Sequence, residues 1–129
     1  MRRLRFIVFC LALAASGAEK KKKAPDIEVL ELKAHRIEGK LTLDGRVRNT
    51  GEKAIQGLVL MFDLLAPGKV PLTTQKTSVD EEILEPGKDG TFRAEMVDPV
   101  RAVECHLSAA EDKNGRDLRL AKVYKTNIE

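Results

Sequence analysis

From Leu41 to Arg48 the chain alternates between apolar and polar residues, a period of two that suits an extended strand with one covered face. Leu41, Leu43 and Val47 fall on one side, and Thr42, Asp44, Arg46 and Arg48 on the other. Gly45 keeps that alternation in phase, so it reads as a glycine inside the strand rather than as half of an Asp-Gly turn. The same signature recurs along the chain between clusters of turn residues, at the spacing of an all-β domain.

Ile27, Val29, Leu30 and Leu32 open a first run that continues to Ile37 before Gly39, and Asn49-Thr50-Gly51 closes the second. The third, Leu58 to Leu65, is apolar on both faces and suits a central strand, with Leu58, Leu60, Phe62 and Leu64 sharing one face. A buried helix has too little room there, because Gly57 precedes the run and Pro67-Gly68 follows it. Leu72 to Leu84 reads as an exposed edge strand or two short pieces, with Gln75-Lys76 and Asp80-Glu81-Glu82 discouraging edge-to-edge association. Glu85 to Gly90 is a turn. Phe92, Ala94 and Met96 share the next strand, and Val103, Cys105 and Leu107 the one after it. Asn114-Gly115 then predicts a hairpin to Leu118, Leu120 and Val123. About seven strands with short connections predict an immunoglobulin-like antiparallel β-sandwich over residues 26–129, without the Cys–Trp–Cys core of true immunoglobulin domains.

Ahead of the domain, Arg2, Arg3 and Arg5 precede an apolar run from Phe6 to Ala15, and Ser16-Gly17-Ala18 offers a small-residue cleavage site. The 13 residues from Phe6 to Ala18 reach roughly 20 Å as a helix, short of a ~30 Å hydrocarbon core. Residues 1–18 therefore read as a cleaved signal peptide. The mature chain is expected outside the cytoplasm, periplasmic or secreted, with no integral span. Lys20 to Lys23 oppose translocation and are the feature that would leave the signal uncut. Phe9 before Cys10 excludes a lipidated cysteine, since that chemistry needs a small residue there. Residues 19–25 read as a charged, flexible leader.

The 23 basic residues exceed the 20 acidic ones only through the three arginines of the signal, so the mature chain is formally neutral. No global field favours nucleic acid or an anionic membrane. Cys105 is then the lone mature cysteine, so no internal disulfide can form and the apolar core must hold the fold.

Gly45-Arg46-Val47-Arg48-Asn49-Thr50-Gly51, then Ile55, Leu58, Phe62-Asp63-Leu64-Leu65 and Gly68, and finally Leu84-Glu85-Pro86-Gly87 with Phe92, resemble the FxLYD domain over about residues 41–96. That family carries a G-x-V-x-N-T/S-G strand and turn, a strand ending F-x-L-Y-D, and an L-x-P-G turn before a Phe-bearing strand. Here Leu65 stands at the family's Tyr and Ala66 at its Asp. The resemblance implies an immunoglobulin-like extracytoplasmic module of bacterial or archaeal type, with no catalytic residues to carry over.

Cys105-His106, with His35, Met61 and Met96, is the one soft-metal constellation, but Cys105 and His106 point to opposite faces of a strand and no pair has ligand spacing. Neither histidine lies near a nucleophile elbow, Ser78 and Ser108 read as ordinary strand residues, and Asp80-Glu81-Glu82 reads as a solvated edge. No catalytic, metal or cofactor residue is assigned, and no enzyme is expected. The sequence points to a non-enzymatic interaction or structural module of the cell envelope, with another envelope protein as partner. The alternative is a periplasmic small-ligand or copper-type carrier.

Overall fold

A computed structural model describes residues 24–129. The signal segment 1–18 and the lysine run Lys20–Lys23 lie outside the described residues. Of the leader, Ala24 and Pro25 are seen, and the Pro25 carbonyl accepts a hydrogen bond from Thr50 Oγ1 at 3.0 Å.

The described residues form ten strands and no helix. These are β1 (Ile27–Ile37), β2 (Lys40–Asn49), β3 (Ile55–Gln56), β4 (Val59–Ala66), β5 (Val70–Ser78), β6 (Ile83–Leu84), β7 (Asp89–Val97), β8 (Glu104–Glu111), β9 (Asp117–Leu118) and β10 (Tyr124–Asn127). All the sheet pairings are antiparallel. β1-β2-β7 make one sheet, β8-β4-β5 the body of a second, and β9 and β10 pair end to end along the far edge of β8. β3 and β6 form a small third ladder.

The expected seven strands become ten because three of these pieces have only two residues, below what periodicity can resolve. Leu72–Leu84 is the two-piece alternative: β5 is the edge strand, and Ile83-Leu84 belongs to another ladder. The Asn114-Gly115 hairpin forms, but its second strand is only Asp117-Leu118. Val103 and Val123 fall outside strands and are exposed.

The sheets pack through the residues the alternation selects. Leu41, Leu43 and Val47 from β2, Leu60, Phe62 and Leu64 from β4, and Cys105 and Leu107 from β8 are all buried. Phe62 and Phe92 meet between the sheets, ring centroids 5.6 Å apart and tilted by 42°, a geometry that favours an aromatic pair. A side chain at Gly45 would strike the Glu31 carbonyl and come within 2.9 Å of the Phe92 ring. β1 bulges between Val29 and Glu31 and leans over β2 at this point, so no other residue fits.

The two long edges of the sandwich differ. On one side, the C-terminal segment pairs with β8 through β9 and β10 and also reaches β1. The Asp26 and Ile27 amides donate to the Arg119 carbonyl, Arg36 N–H to Glu129, and Glu129 N–H to Ala34. That side is closed. On the other side lie β5 and β7.

Candidate functional site

The soft-metal residues are dispersed. Cys105 faces the core, and burial pushes its thiol up to about 12, with the Asp63 charge adding to the effect. Its neighbour His106 points to the opposite face. His35 lies on β1 and Met96 on β7, both in the other sheet, where Met96 packs against the core. Met61 pairs with Lys76 and Ala109, on the face of β4 opposite buried Phe62. Among the described residues no group of three His, Cys, Asp or Glu side chains is placed to hold a metal ion.

The outer face of the five-stranded sheet carries a small polar cluster. Thr74 Oγ1 donates to Asp63 Oδ1 at 2.9 Å, and Ser108 Oγ to Asp63 Oδ2 at 3.1 Å. Ser108 is therefore more than the ordinary strand residue its sequence suggests. It sits where β8 slips register against β4 between Met61 and Phe62. With Thr74 it anchors the Asp63 carboxylate from the two neighbouring strands, β5 and β8. His106 Nε2 is buried without a hydrogen-bond partner, 3.4 Å from Glu104 Oε1. Glu104 is held below the ordinary carboxylate range, chiefly by its hydrogen bond from Lys69.

The outer face of the three-stranded sheet is a charge mosaic. Register places Glu28, Arg48 and Asp89 in one row and Lys33, Asp44 and Arg93 in another, with the sign alternating from strand to strand. Arg48 Nε bonds Asp89 Oδ1 at 2.7 Å, Arg46 reaches both Glu31 and Asp89, and Lys33 reaches Glu31 at 3.0 Å. Cross-strand pairs of this kind are solvated and mutually satisfied, which leaves this face little unmatched charge to offer a partner.

Asp80 and Glu81 close part of the open side. Thr91 N–H donates to Glu81 Oε1 at 2.9 Å, Thr91 Oγ1 to Asp80 Oδ2 at 2.8 Å, and Asp80 N–H to the Thr91 carbonyl at 2.7 Å. These acids are exposed, as the sequence suggests. They also cap the first half of β7, which it does not.

What stays open on this side, among the described residues, is the second half of β7 and the whole of β5. Beyond its ladder with β4, β5 has no backbone partner among the described residues. Pro71 and a bulge at Leu72, where the pairing slips between Leu64 and Leu65, blunt the start of the strand. Thr73 to Ser78 is the unblunted part. Beside it, Leu72, Thr73, Pro99, Val100 and Arg101 line an apolar groove of about 380 Å³. The loop forming its far wall is pinned by Arg36, which donates to both Asp98 carboxylate oxygens at 2.9 and 3.0 Å and to the Ala102 carbonyl at 2.7 Å. Val97, at the end of β7, and Val100, on this loop, stand 85% and 80% exposed. Alternation placed the edge strand but not the groove, whose walls come from segments far apart in sequence. The signal for it was Val97 and Val100 flanking Asp98-Pro99 with nothing nearby to bury them.

No protein-family model matches the chain, and no curated protein matches it. Among solved structures the chain is similar to IrmA from Escherichia coli, at TM-score 0.51 and 14% identity, over 73% of this chain and 81% of that one. It also aligns with beta-glucosidase 3B from Thermotoga neapolitana, at TM-score 0.46 and 16% identity, over 80% of this chain but only 16% of the enzyme. A third match is the alkylpurine DNA glycosylase AlkC of Pseudomonas fluorescens, at TM-score 0.44 and 14% identity, over 81% of this chain and 31% of that protein. At 14% identity the likeness to IrmA speaks for the fold alone, so function rests on this chain's own surface.

Proposed function

We propose that this chain is an exported, non-enzymatic interaction module of the cell envelope that binds another envelope protein through the open side of its sandwich. The observation that carries this reading is the unpaired edge of β5 beside an exposed apolar groove. An unpaired strand edge offers a row of main-chain donors and acceptors to an incoming strand. Elsewhere the C-terminal segment covers one side of the sandwich, and the outer face of the three-stranded sheet carries compensated charge. The signal-like segment at residues 1–18 supports the extracytoplasmic setting, and the resemblance to the FxLYD domain supports the same compartment and class.

The carrier alternative draws no support from the geometry, which sends Cys105 and His106 to opposite faces and puts His35 and Met96 in the other sheet. The test is site-specific photocrosslinking in the full chain exported by its host. A crosslinker at Thr73 or Thr77 is expected to capture an envelope protein, and one at Arg48 on the mosaic face is expected to capture none. Equal capture from both faces, or none from the edge, overturns the reading. Intact mass on the same preparation is expected to begin at Glu19; a full-length form in the membrane would overturn the cleaved signal.

A further inference from the structure

We propose that the open edge of β5 receives an extended acidic–apolar segment of its partner as an added strand. One apolar side chain would enter the groove between Leu72, Pro99 and Val100, and carboxylates would lie toward Lys76 and Arg101. This deepens the interaction-module reading and rests on it.

Three observations select that occupant. The free row of backbone groups fits a strand, not a helix or a flat surface. Pro71 lacks an N–H and Leu72 bulges, so pairing is confined to Thr73–Ser78, a length of roughly 20 Å or six residues of partner. The third observation is charge. β5 contains no acidic residue, whereas Lys69 precedes it, Lys76 lies within it and Arg101 lines the groove. Lys69 is already matched by Glu104 at 3.2 Å. Lys76 only approaches Glu111 at 3.8 Å, and Arg101 has no ion pair among the described residues. Lys76 lies near the middle of the free stretch, so two copies joined antiparallel through it would bring their Lys76 side chains close together; charge at that position disfavours a second copy and favours an acidic strand. The groove supplies the alternate side-chain pocket that gives strand addition its specificity.

The experiment uses the folded chain and three blocked eight-residue peptides: alternating valine and glutamate, alternating valine and lysine, and the glutamate peptide with a central proline. Backbone NMR with amide exchange reads the site. The glutamate peptide is expected to slow exchange across Thr73–Ser78 by roughly tenfold or more at saturation and to shift Leu72 and Val100. The lysine and proline peptides are expected to bind at least about tenfold more weakly. Val100→Asp, at an exposed position where folding should not suffer, is expected to weaken the glutamate peptide by a similar factor, and Arg101→Glu to reverse the charge preference. Equal binding of the glutamate and lysine peptides, shifts confined to another face, or no binding at millimolar peptide overturns the proposal. So does sedimentation showing that the chain pairs with itself through β5. Photocrosslinking separates the two levels: edge-specific capture without charge preference removes only this inference, whereas loss of edge-specific capture removes the module reading with it.

Discussion

The side-chain nitrogen of Asn49 donates to the carbonyl oxygen of Leu84 at 2.8 Å, tying the end of β2 to the small ladder 35 residues further on. The same nitrogen donates to the Lys53 carbonyl at 2.8 Å, and Oδ1 accepts from the Gly51 amide at 2.9 Å. The backbone of Asn49 is also engaged at both ends, with Lys88 and Gly87. Asn49 is fully buried, so each of these bonds replaces water that cannot enter.

Asn49→Ala is therefore expected to strand the buried Leu84 carbonyl, to leave the part-buried Lys53 carbonyl and Gly51 amide without their partner, and to cost about 2–4 kcal/mol. Asn49→Asp should be no better, since a carboxylate cannot donate to either carbonyl. Urea unfolding of the two variants checks this; a loss under ~1 kcal/mol for both would show that water satisfies the site instead.

Phe62→Ala is expected to cost roughly 3–5 kcal/mol, because the ring is fully buried on the central strand of its sheet. Phe92→Ala should cost a similar amount, and the double variant less than the sum, since each ring is the other's neighbour. Strict additivity in chemical denaturation would show that the two rings stabilise the sheets independently.

The strands were legible because burial imposes a period of two, and Leu41, Leu43, Val47, Phe62 and Leu64 obey it. Asn49 was legible only as a turn residue, since nothing local reveals that its amide points inward to Leu84. Asp80 and Glu81 looked like solvent-exposed charge because the Thr91 groups they cap arrive from another strand. The edge strand was visible within Leu72–Leu84. The groove was not, because tertiary packing alone brings Leu72 beside Val100.

The turn between β1 and β2 holds a removable strain. Glu38 has φ of +52° and Gly39 +82°, the pair of left-handed angles that a two-residue hairpin turn requires. Glutamate is ill suited to that angle and asparagine tolerates it. Glu38→Asn is expected to raise stability by about 0.5–1 kcal/mol, read as a higher melting temperature with the fold unchanged.

Acid should erode stability in a defined window. Glu31, Asp89, Glu104 and Asp112 are all held below their ordinary values of 4.5 for Glu and 3.8 for Asp. The first causes are the hydrogen bonds from Lys33 to Glu31, from Arg48 to Asp89 and from Lys69 to Glu104; for Asp112 it is the Arg116 backbone amide. A depressed folded-state value means the contribution is complete above the ordinary value and is lost as pH falls through the folded one. The melting temperature is expected to hold from neutrality down to roughly pH 5 and to fall below about 4. High salt should shrink the part due to the exposed ion pairs. Asp89→Asn, which frees Arg46 and Arg48, should flatten part of that limb; an acid limb unchanged by both Asp89→Asn and Asp112→Asn would show that these groups do not set it.

The last prediction concerns Cys105 and metals together. Its thiol is buried and pushed up to about 12, so almost no thiolate exists near neutral pH and iodoacetamide should label the folded chain only as it unfolds. For the same reason a soft metal would have to extract a proton and open the core to reach the sulfur. Copper or zinc is therefore expected to leave the melting temperature nearly unchanged. A ligand binding only the folded state at 100 times its dissociation constant would add ~2.7 kcal/mol, a shift on the order of 10 °C for a domain of this size. A rise of that size, abolished by Cys105→Ser or His106→Ala, would overturn the interaction module in favour of a metal carrier. It would also require a rearrangement of β8, because consecutive strand residues cannot reach one ion from opposite faces.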